Sequence, residues 1–263
     1  MKHPLGICSW SLLNNPFDIS RTLGKTELTL LHLELVAAPL LREAIAENSW
    51  KVSATMLAFP QEDYSSLGSI RETGGIVPDD CWTVNRALTL DAIEKTAEMG
   101  VAFLTFHAGF IDHKDAEGYQ LFCARMSELA DAAQARGVML LLETGQETAT
   151  DLRVCLEDLN HPALGVNFDP ANMILYGKGD PIEAVRVLAP WIKHVHIKDA
   201  VKTAAPGEWG AEVPWGDGEV GCDTFIQTLE EIGYTGALAI EREAGDARMA
   251  DIQLAAERLR GEQ

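Results

Sequence analysis

Four side chains able to bind a divalent metal close four apolar runs in the second half of this chain. Glu143 follows Val138–Leu142, Asp169 follows Leu164–Phe168, His196 ends Ile192–His196, and Glu241 follows Ala237–Ile240. Apolar runs of this length, bounded by Gly, Pro or Asn, read as buried parallel strands. A charge at the end of such a strand costs free energy unless it is paired or bound to a cation. Two Glu, one Asp and one His in succession form a mixed oxygen and nitrogen ligand set. Such a set suits one Mn²⁺, Mg²⁺ or Co²⁺ ion, with Zn²⁺ also able to fit.

The elements that must position these residues alternate regularly. Strands are expected over Leu5–Trp10, Leu28–Glu34, Val52–Ala58, Val101–His107, Val138–Glu143, Leu164–Asp169, Ile192–His196 and Ala237–Glu241. Helices are expected from about Asp18, over Leu40–Asn48, Val84–Met99, Glu117–Arg136, Asp151–Leu159, Pro181–Trp191 and Asp223–Ile232, and from about Ala247 to Arg260. In the long central helix Leu121, Met126, Leu129 and Ala133 would share one buried face, with Gly137 as its stop. Eight β-α units in 263 residues imply a parallel sheet closed into a (β/α)₈ TIM barrel, as one domain over residues 1–263. A doubly wound open sheet would bring a glycine-rich phosphate loop after an early strand, and the sequence has none. Two long connections, Pro60–Trp82 and Asp199–Val220, leave strand C-termini and are expected to cover the barrel mouth.

The formal net charge is −19, spread along the chain. That balance disfavours nucleic-acid partners. No apolar stretch reaches the roughly 18 residues of a membrane span, and the first residues lack a signal-peptide pattern, so a cytoplasmic protein with no membrane partner is expected. Cys8, Cys81, Cys123, Cys155 and Cys222 are scattered and odd in number, and are expected to be reduced.

The strand ends Leu142–Gln146, Phe168–Asn172, Val195–Asp199 and Ile240–Glu243 resemble those of the xylose-isomerase-like sugar isomerase/epimerase superfamily, as do Gly216–Val220 and Gly233–Gly236. That superfamily includes ketose 3-epimerases, inosose dehydratases and endonuclease IV. The resemblance implies Glu143, Asp169, His196 and Glu241 as metal ligands. Ketose 3-epimerases carry a His three residues after the Asp ligand; Asn172 stands there in this chain, which weakens the case for that reaction in particular. Endonuclease IV would need further histidines for its three-metal cluster.

Such a site supports proton abstraction next to a carbonyl, through an enediolate that the metal stabilises. Glu143 and Glu241, on non-adjacent strands, would be the proton-transfer groups as well as ligands. The expected function is a metal-dependent isomerase or epimerase of a sugar or polyol ketone, with an inosose-type dehydratase as the alternative. An abasic-site endonuclease and a non-catalytic sugar-binding barrel are further alternatives. A homo-oligomer is compatible with the chain.

The residues expected to contact substrate are His107, Lys198, Glu34, Asn172 and Trp10. His107 would bind a substrate oxygen or support Glu143; Lys198 would donate to substrate or pair with Asp199; Glu34 would bind hydroxyls or orient His32. Trp82, Trp209 and Trp215 lie in or beside mouth loops, where an aromatic ring could pack on a sugar face. His194 reads as a core histidine beneath the site.

Overall fold

Strand-forming runs in this chain are short, and each ends where a polar residue or a turn begins. A computed structural model describes residues 3–205 and 207–261. Seven parallel strands, β1 (Leu5–Cys8), β2 (Leu30–Glu34), β3 (Lys51–Met56), β4 (Phe103–Phe106), β5 (Met139–Glu143), β6 (Leu164–Phe168) and β7 (Ile192–Ile197), are joined by β10 (Leu238–Ile240), which pairs with both β7 and β1 and closes the barrel. The expected eight-stranded (β/α)₈ architecture is therefore present. Seven of the eight strands are one to three residues shorter than the expected run, whereas β7 runs one residue longer, to Ile197. Trp10, for example, lies in a 3₁₀ turn over Ser9–Leu12 and not on β1.

The helices are α1 (Pro16–Thr26), α2 (Ala38–Asn48), α3 (Leu67–Thr73), α4 (Asp79–Glu98), α5 (Ala116–Ala135), α6 (Ala149–Leu159), α7 (Pro170–Leu175), α8 (Pro181–Leu188), α9 (Cys222–Glu231) and α10 (Arg248–Arg260). Asn15, Ser66, Asp115, Thr148, Asp169 and Asp180 each accept a backbone N–H at a helix start, satisfying donors the helix cannot. On α5, Met126, Leu129 and Ala133 are buried as expected, but Leu121 is 44% exposed. Phe122, one residue on, takes the place against the core. The Asp199–Val220 connection contains an antiparallel hairpin, β8 (Asp199–Val201) with β9 (Ala211–Val213).

Alternation along the strands divides the buried side chains into two sets. Leu140 and Leu142 of β5, Val166 and Phe168 of β6 and Val195 and Ile197 of β7 join the apolar layer under the helices. Their alternates point into the lumen, which is polar at mid-height. Cys8, His32, Thr105, Asn167, His194 and His196 are all fully buried there. Barrel lumens of this fold are usually filled by branched aliphatic layers, so this departure marks the region that supports the site.

Candidate active site

Register brings the four strand tips to one place despite their different heights. Glu143 pairs with Asn167, Asn167 with His194, and His196 with Ala239. Asp169 and Glu241 therefore stand beyond their own strands, Asp169 as the cap of α7 and Glu241 after the last pair of β10. The tilt of barrel strands compensates the stagger. One ligand atom from each of Glu143, Asp169, His196 and Glu241 lies within 4.8 Å of all the others, and the four residues are buried. His196 Nδ1 is 2.8 Å from Glu241 Oε2, 3.4 Å from Asp169 Oδ2 and 3.5 Å from Glu143 Oε1.

The remaining lone pairs of the carboxylates are used in fixing them. Glu143 accepts from Asn172 Nδ2 at Oε1 and from Asn167 Nδ2 at Oε2, both at 3.1 Å. Asp169 Oδ1 accepts the backbone N–H of Asn172, 3.0 Å. Trp10 Nε1 donates to Glu241 Oε1 at 2.7 Å. Glu241 Oε2 is buried and makes no hydrogen bond, although His196 Nδ1 is close. A buried anionic oxygen that makes no hydrogen bond, has His196 Nδ1 and Lys198 Nζ as its cationic neighbours, and lies among three other ligand atoms fits a cation-binding role. Gly145 (φ +133°) makes Asn172's position possible, since a Cβ there would meet the Asn172 Cβ at 2.4 Å.

The electrostatics follow from crowding. Burial works against the Glu143 charge, but His107, His196 and Lys198 outweigh it and hold its carboxyl below the usual range. Burial also opposes charge on His196 and Lys198, yet the surrounding acids raise both well above their ordinary values. Beneath them, burial and the neighbouring His196 push His194 down to about 3.

Of the other expected site residues, His107 Nε2 lies 3.6 Å from Glu143 Oε1 and the ring lines the mouth cavity. Lys198 does not pair with Asp199. Its Nζ is 3.0 Å from Glu243 Oε2 and 3.4 Å from Glu241 Oε2, because residues two apart share a face and residues one apart do not. Asp199 instead accepts the backbone N–H groups of Ala200, Gly216, Gly218 and Val220 at 2.8–3.1 Å and organises the hairpin loop. Glu34 accepts from Asn14 Nδ2 and lines the cavity. It does not orient His32, whose ring nitrogens face His196 and Thr105. His194 sits beneath the site, between Asn167 Oδ1 (2.9 Å) and Ser53 Oγ (3.1 Å).

The mouth cavity measures about 510 Å³. Pro60–Trp82 contributes Glu62 and Tyr64 to it, and Asp199–Val220 contributes Trp209 and Glu212. Trp82 lies on α4 with the Arg125 guanidinium over its ring, and Trp215 is buried against Phe225, so neither faces the cavity. Glu62, Tyr64, Tyr176, Glu212 and Glu243 line it without having been singled out from sequence. For Glu243 a signal existed, two residues past Glu241. The first four sit in or after segments without periodicity.

The family model for the xylose isomerase-like TIM barrel matches residues 27–261. A ketose 3-epimerase of Arthrobacter globiformis is 26% identical over 208 residues, 76% of this chain and 66% of that protein. A 3-dehydroshikimate dehydratase of Bacillus anthracis is 28% identical over 135 residues, 45% of this chain and 48% of that protein. The matches thus span about half to two-thirds of these relatives' own length. The crystal structure of a xylose isomerase domain protein from Planctomyces limnophilus superposes with a TM-score of 0.88 at 30% identity, covering 99% of this chain and 96% of that one. Among the described residues, no helix is long and apolar enough to cross a membrane.

Proposed function

The chain belongs to the xylose isomerase-like TIM-barrel family, and from that premise we propose that it is a divalent-metal-dependent isomerase or epimerase of an uncharged polyhydroxy ketone. The observation that supports this reading is that ligand atoms of Glu143, Asp169, His196 and Glu241, all buried, lie within 4.8 Å of one another. When bound there, Mn²⁺, Mg²⁺ or Co²⁺ supplies Lewis acidity at the substrate carbonyl.

The chain's own residues supply the rest. Glu143 and Glu241 approach the cavity from strands separated by β6 and β7. One carboxylate takes the proton from the carbon next to the carbonyl, and the other returns a proton to the opposite face, which inverts the centre. Glu143, held below the usual carboxyl range, is in its base form at neutral pH. Lys198, held as an ammonium, donates to a substrate oxygen, and His107 and Asn172 bound the same space.

The lining favours a neutral substrate. Six glutamates (Glu34, Glu62, Glu143, Glu212, Glu241 and Glu243) face the cavity against Lys198 and His107. Among the described residues no arginine lines it; Arg242 is bound to Glu212 and Asp251. A carboxylate or phosphate on the substrate would meet repulsion without a guanidinium to receive it. The substrate of a 3-dehydroshikimate dehydratase is such an acid, so the reading sets this chain apart from that relative. A second reading, loss of water from a neutral keto-cyclitol at the same site, is favoured by Asn172 in the position where ketose 3-epimerases carry His.

The test is deuterium incorporation from D₂O into ketoses and inososes with Mn²⁺, for wild type, Glu143→Gln and Glu241→Gln. Exchange lost in both variants with metal retained supports the dual role. Near-wild-type exchange in both would refute it, and a change in product mass would identify dehydration.

A further inference from the structure

The lumen beneath the site holds an imidazole that the proposed chemistry leaves without a task. His32, on β2 two residues before Glu34, is fully buried. Its Nε2 lies 2.9 Å from Thr105 Oγ1, and its Nδ1 lies 3.0 Å from His196 Nε2. Thr105 has one hydroxyl proton, and the Thr55 carbonyl (3.1 Å) and Met56 Sδ (2.9 Å) are there to accept it. Toward His32 the hydroxyl therefore offers lone pairs, and His32 Nε2 carries the N–H. In the neutral ring this leaves Nδ1 bare, an acceptor aimed at His196 at 3.0 Å, with the Cys8 thiol farther off at 3.9 Å.

On the far side of the His196 ring, Nδ1 faces Glu143, Asp169 and Glu241. An imidazole nitrogen binds a cation through its lone pair, so a metal at Nδ1 requires the proton to reside on Nε2. Metal-bound histidines donate that second N–H to an outer partner that fixes tautomer and ring angle. We propose that His32 is this partner: it accepts the Nε2–H of His196 and so holds the His196 Nδ1 lone pair toward the carboxylates, with Thr105 and the Thr55 carbonyl anchoring His32 in turn. His32 acts as a positioning residue and touches neither substrate nor metal. The inference rests on the metal-binding reading of the proposed function.

Asn167 sharpens the point. Its Nδ2 lies 3.1 Å from the same His196 Nε2 and can only donate. Asn167 therefore favours the tautomer with bare Nε2 and an Nδ1–H directed into the acids, whereas His32 favours the one that leaves Nδ1 free. For the neutral ring the two neighbours thus favour opposite proton positions, and only the one that His32 serves would leave Nδ1 free for a cation.

The experiment measures Mn²⁺ and Mg²⁺ binding by calorimetry in wild type, His32→Leu, His32→Gln, Thr105→Val and Thr105→Ser. It also records ring ¹⁵N shifts of the Mg²⁺-loaded wild type. Leu cannot accept the Nε2–H, and affinity should fall about 10–100-fold; Gln can accept through its amide oxygen and should restore most of it. Val at position 105 should weaken binding and Ser should not, a comparison that stands even if His32→Leu fails to fold. The spectrum should show His196 protonated at Nε2. Unchanged affinity in folded His32→Leu or in Thr105→Val, or a bare Nε2 in the loaded wild type, would overturn the inference alone. Wild type that binds neither cation would overturn the metal reading and the inference with it.

Discussion

Asn167→Asp exchanges one NH₂ for an oxygen at almost constant volume, deep in the lumen. The Oδ1 that accepts from His194 Nδ1 is kept, but the donor 3.1 Å from Glu143 Oε2 becomes a second carboxylate oxygen. Two unit charges at 3.1 Å repel by about 5 kcal/mol at an effective dielectric of ~20. The new carboxyl can escape by taking a proton, at a cost of about 4 kcal/mol at pH ~7 for an ordinary Asp with a pKa of ~3.9. The same oxygen would also lie 3.1 Å from His196 Nε2, whose attraction offsets part of this, so the metal-free variant should be less stable than wild type by at most about 4 kcal/mol at pH ~7. The folded-state pKa of the introduced carboxyl is raised above its unfolded value. The deficit is accordingly absent below the unfolded pKa and grows as pH rises, by about 1.4 kcal/mol per unit. Glu143 stays ionised in moderate acid because its own carboxyl is held low, and the protonated carboxyl introduced on β6 can then donate to it as the amide did. Urea unfolding in chelator at pH ~7 and ~5 measures this, with Asn167→Ala as a control whose loss of about 3–5 kcal/mol from orphaned partners should change little with pH. An Asn167→Asp variant as stable as wild type at neutral pH, or a deficit that does not shrink on acidification, would refute the reasoning.

Three other outcomes follow from the same contacts. Burial pushes the Glu147 carboxyl up to about 8, with Lys178 opposing it only in part. The folded state therefore holds the proton more tightly, and this group's contribution, complete below about 4.5, is lost as pH rises toward about 8; Glu147→Gln should flatten the stability profile over that window in thermal scans. Asp199→Ala removes the acceptor for four backbone N–H groups, which should cost about 3–5 kcal/mol. Its sign should be faster hydrogen exchange of amides 211–220, with exchange in β5 and β6 unchanged. Gly75 (φ +63°) sits so close to the next loop that a Cβ would lie 2.1 Å from the Ala108 carbonyl carbon. Gly75→Ala should lower the melting temperature and free Glu62, which accepts the Gly75 N–H at 3.1 Å, as seen in increased proteolysis within residues 60–78.

The four candidate ligand residues are legible because each breaks an apolar run at its end, and eight such runs separated by helical periods admit few architectures. The lumen layer was partly hidden by the same rule. The two-residue period sets Asn167 beneath Asp169 and His194 beneath His196, but His32 and Thr105 are polar residues within strands, which read equally as facing solvent until the barrel closes around them. Only the position of each, two residues before a tip residue, hinted at its side. The β8–β9 hairpin escaped because its strands are three residues long, and α3 and α7 because one or two turns show no periodicity. Lys198 and Asp199 are adjacent and face opposite ways, so Lys198 pairs with Glu243 while Asp199 turns to the hairpin loop. Leu121 and Phe122 are adjacent and both apolar, so pattern alone could not choose which faces inward.

The division between an apolar layer outside the strands and a hydrogen-bonded lumen inside them bears on how such a barrel can diverge. Each lumen side chain is both donor and acceptor to others, so the effect of changing one depends on which partners are already present, and single steps do not add. Lineages with this interior face steep epistasis at His32, Thr105, Asn167 and His194. The connections after β3 and β7 are tied at a few points, Gly75 and Asp199 among them, and their cavity-facing residues Tyr64 and Trp209 lie outside those ties. New substrates should thus be acquired by drift in those connections while the lumen is inherited as a block, and a graft of the four ligands onto a barrel with an aliphatic lumen should yield a metal site of poor affinity.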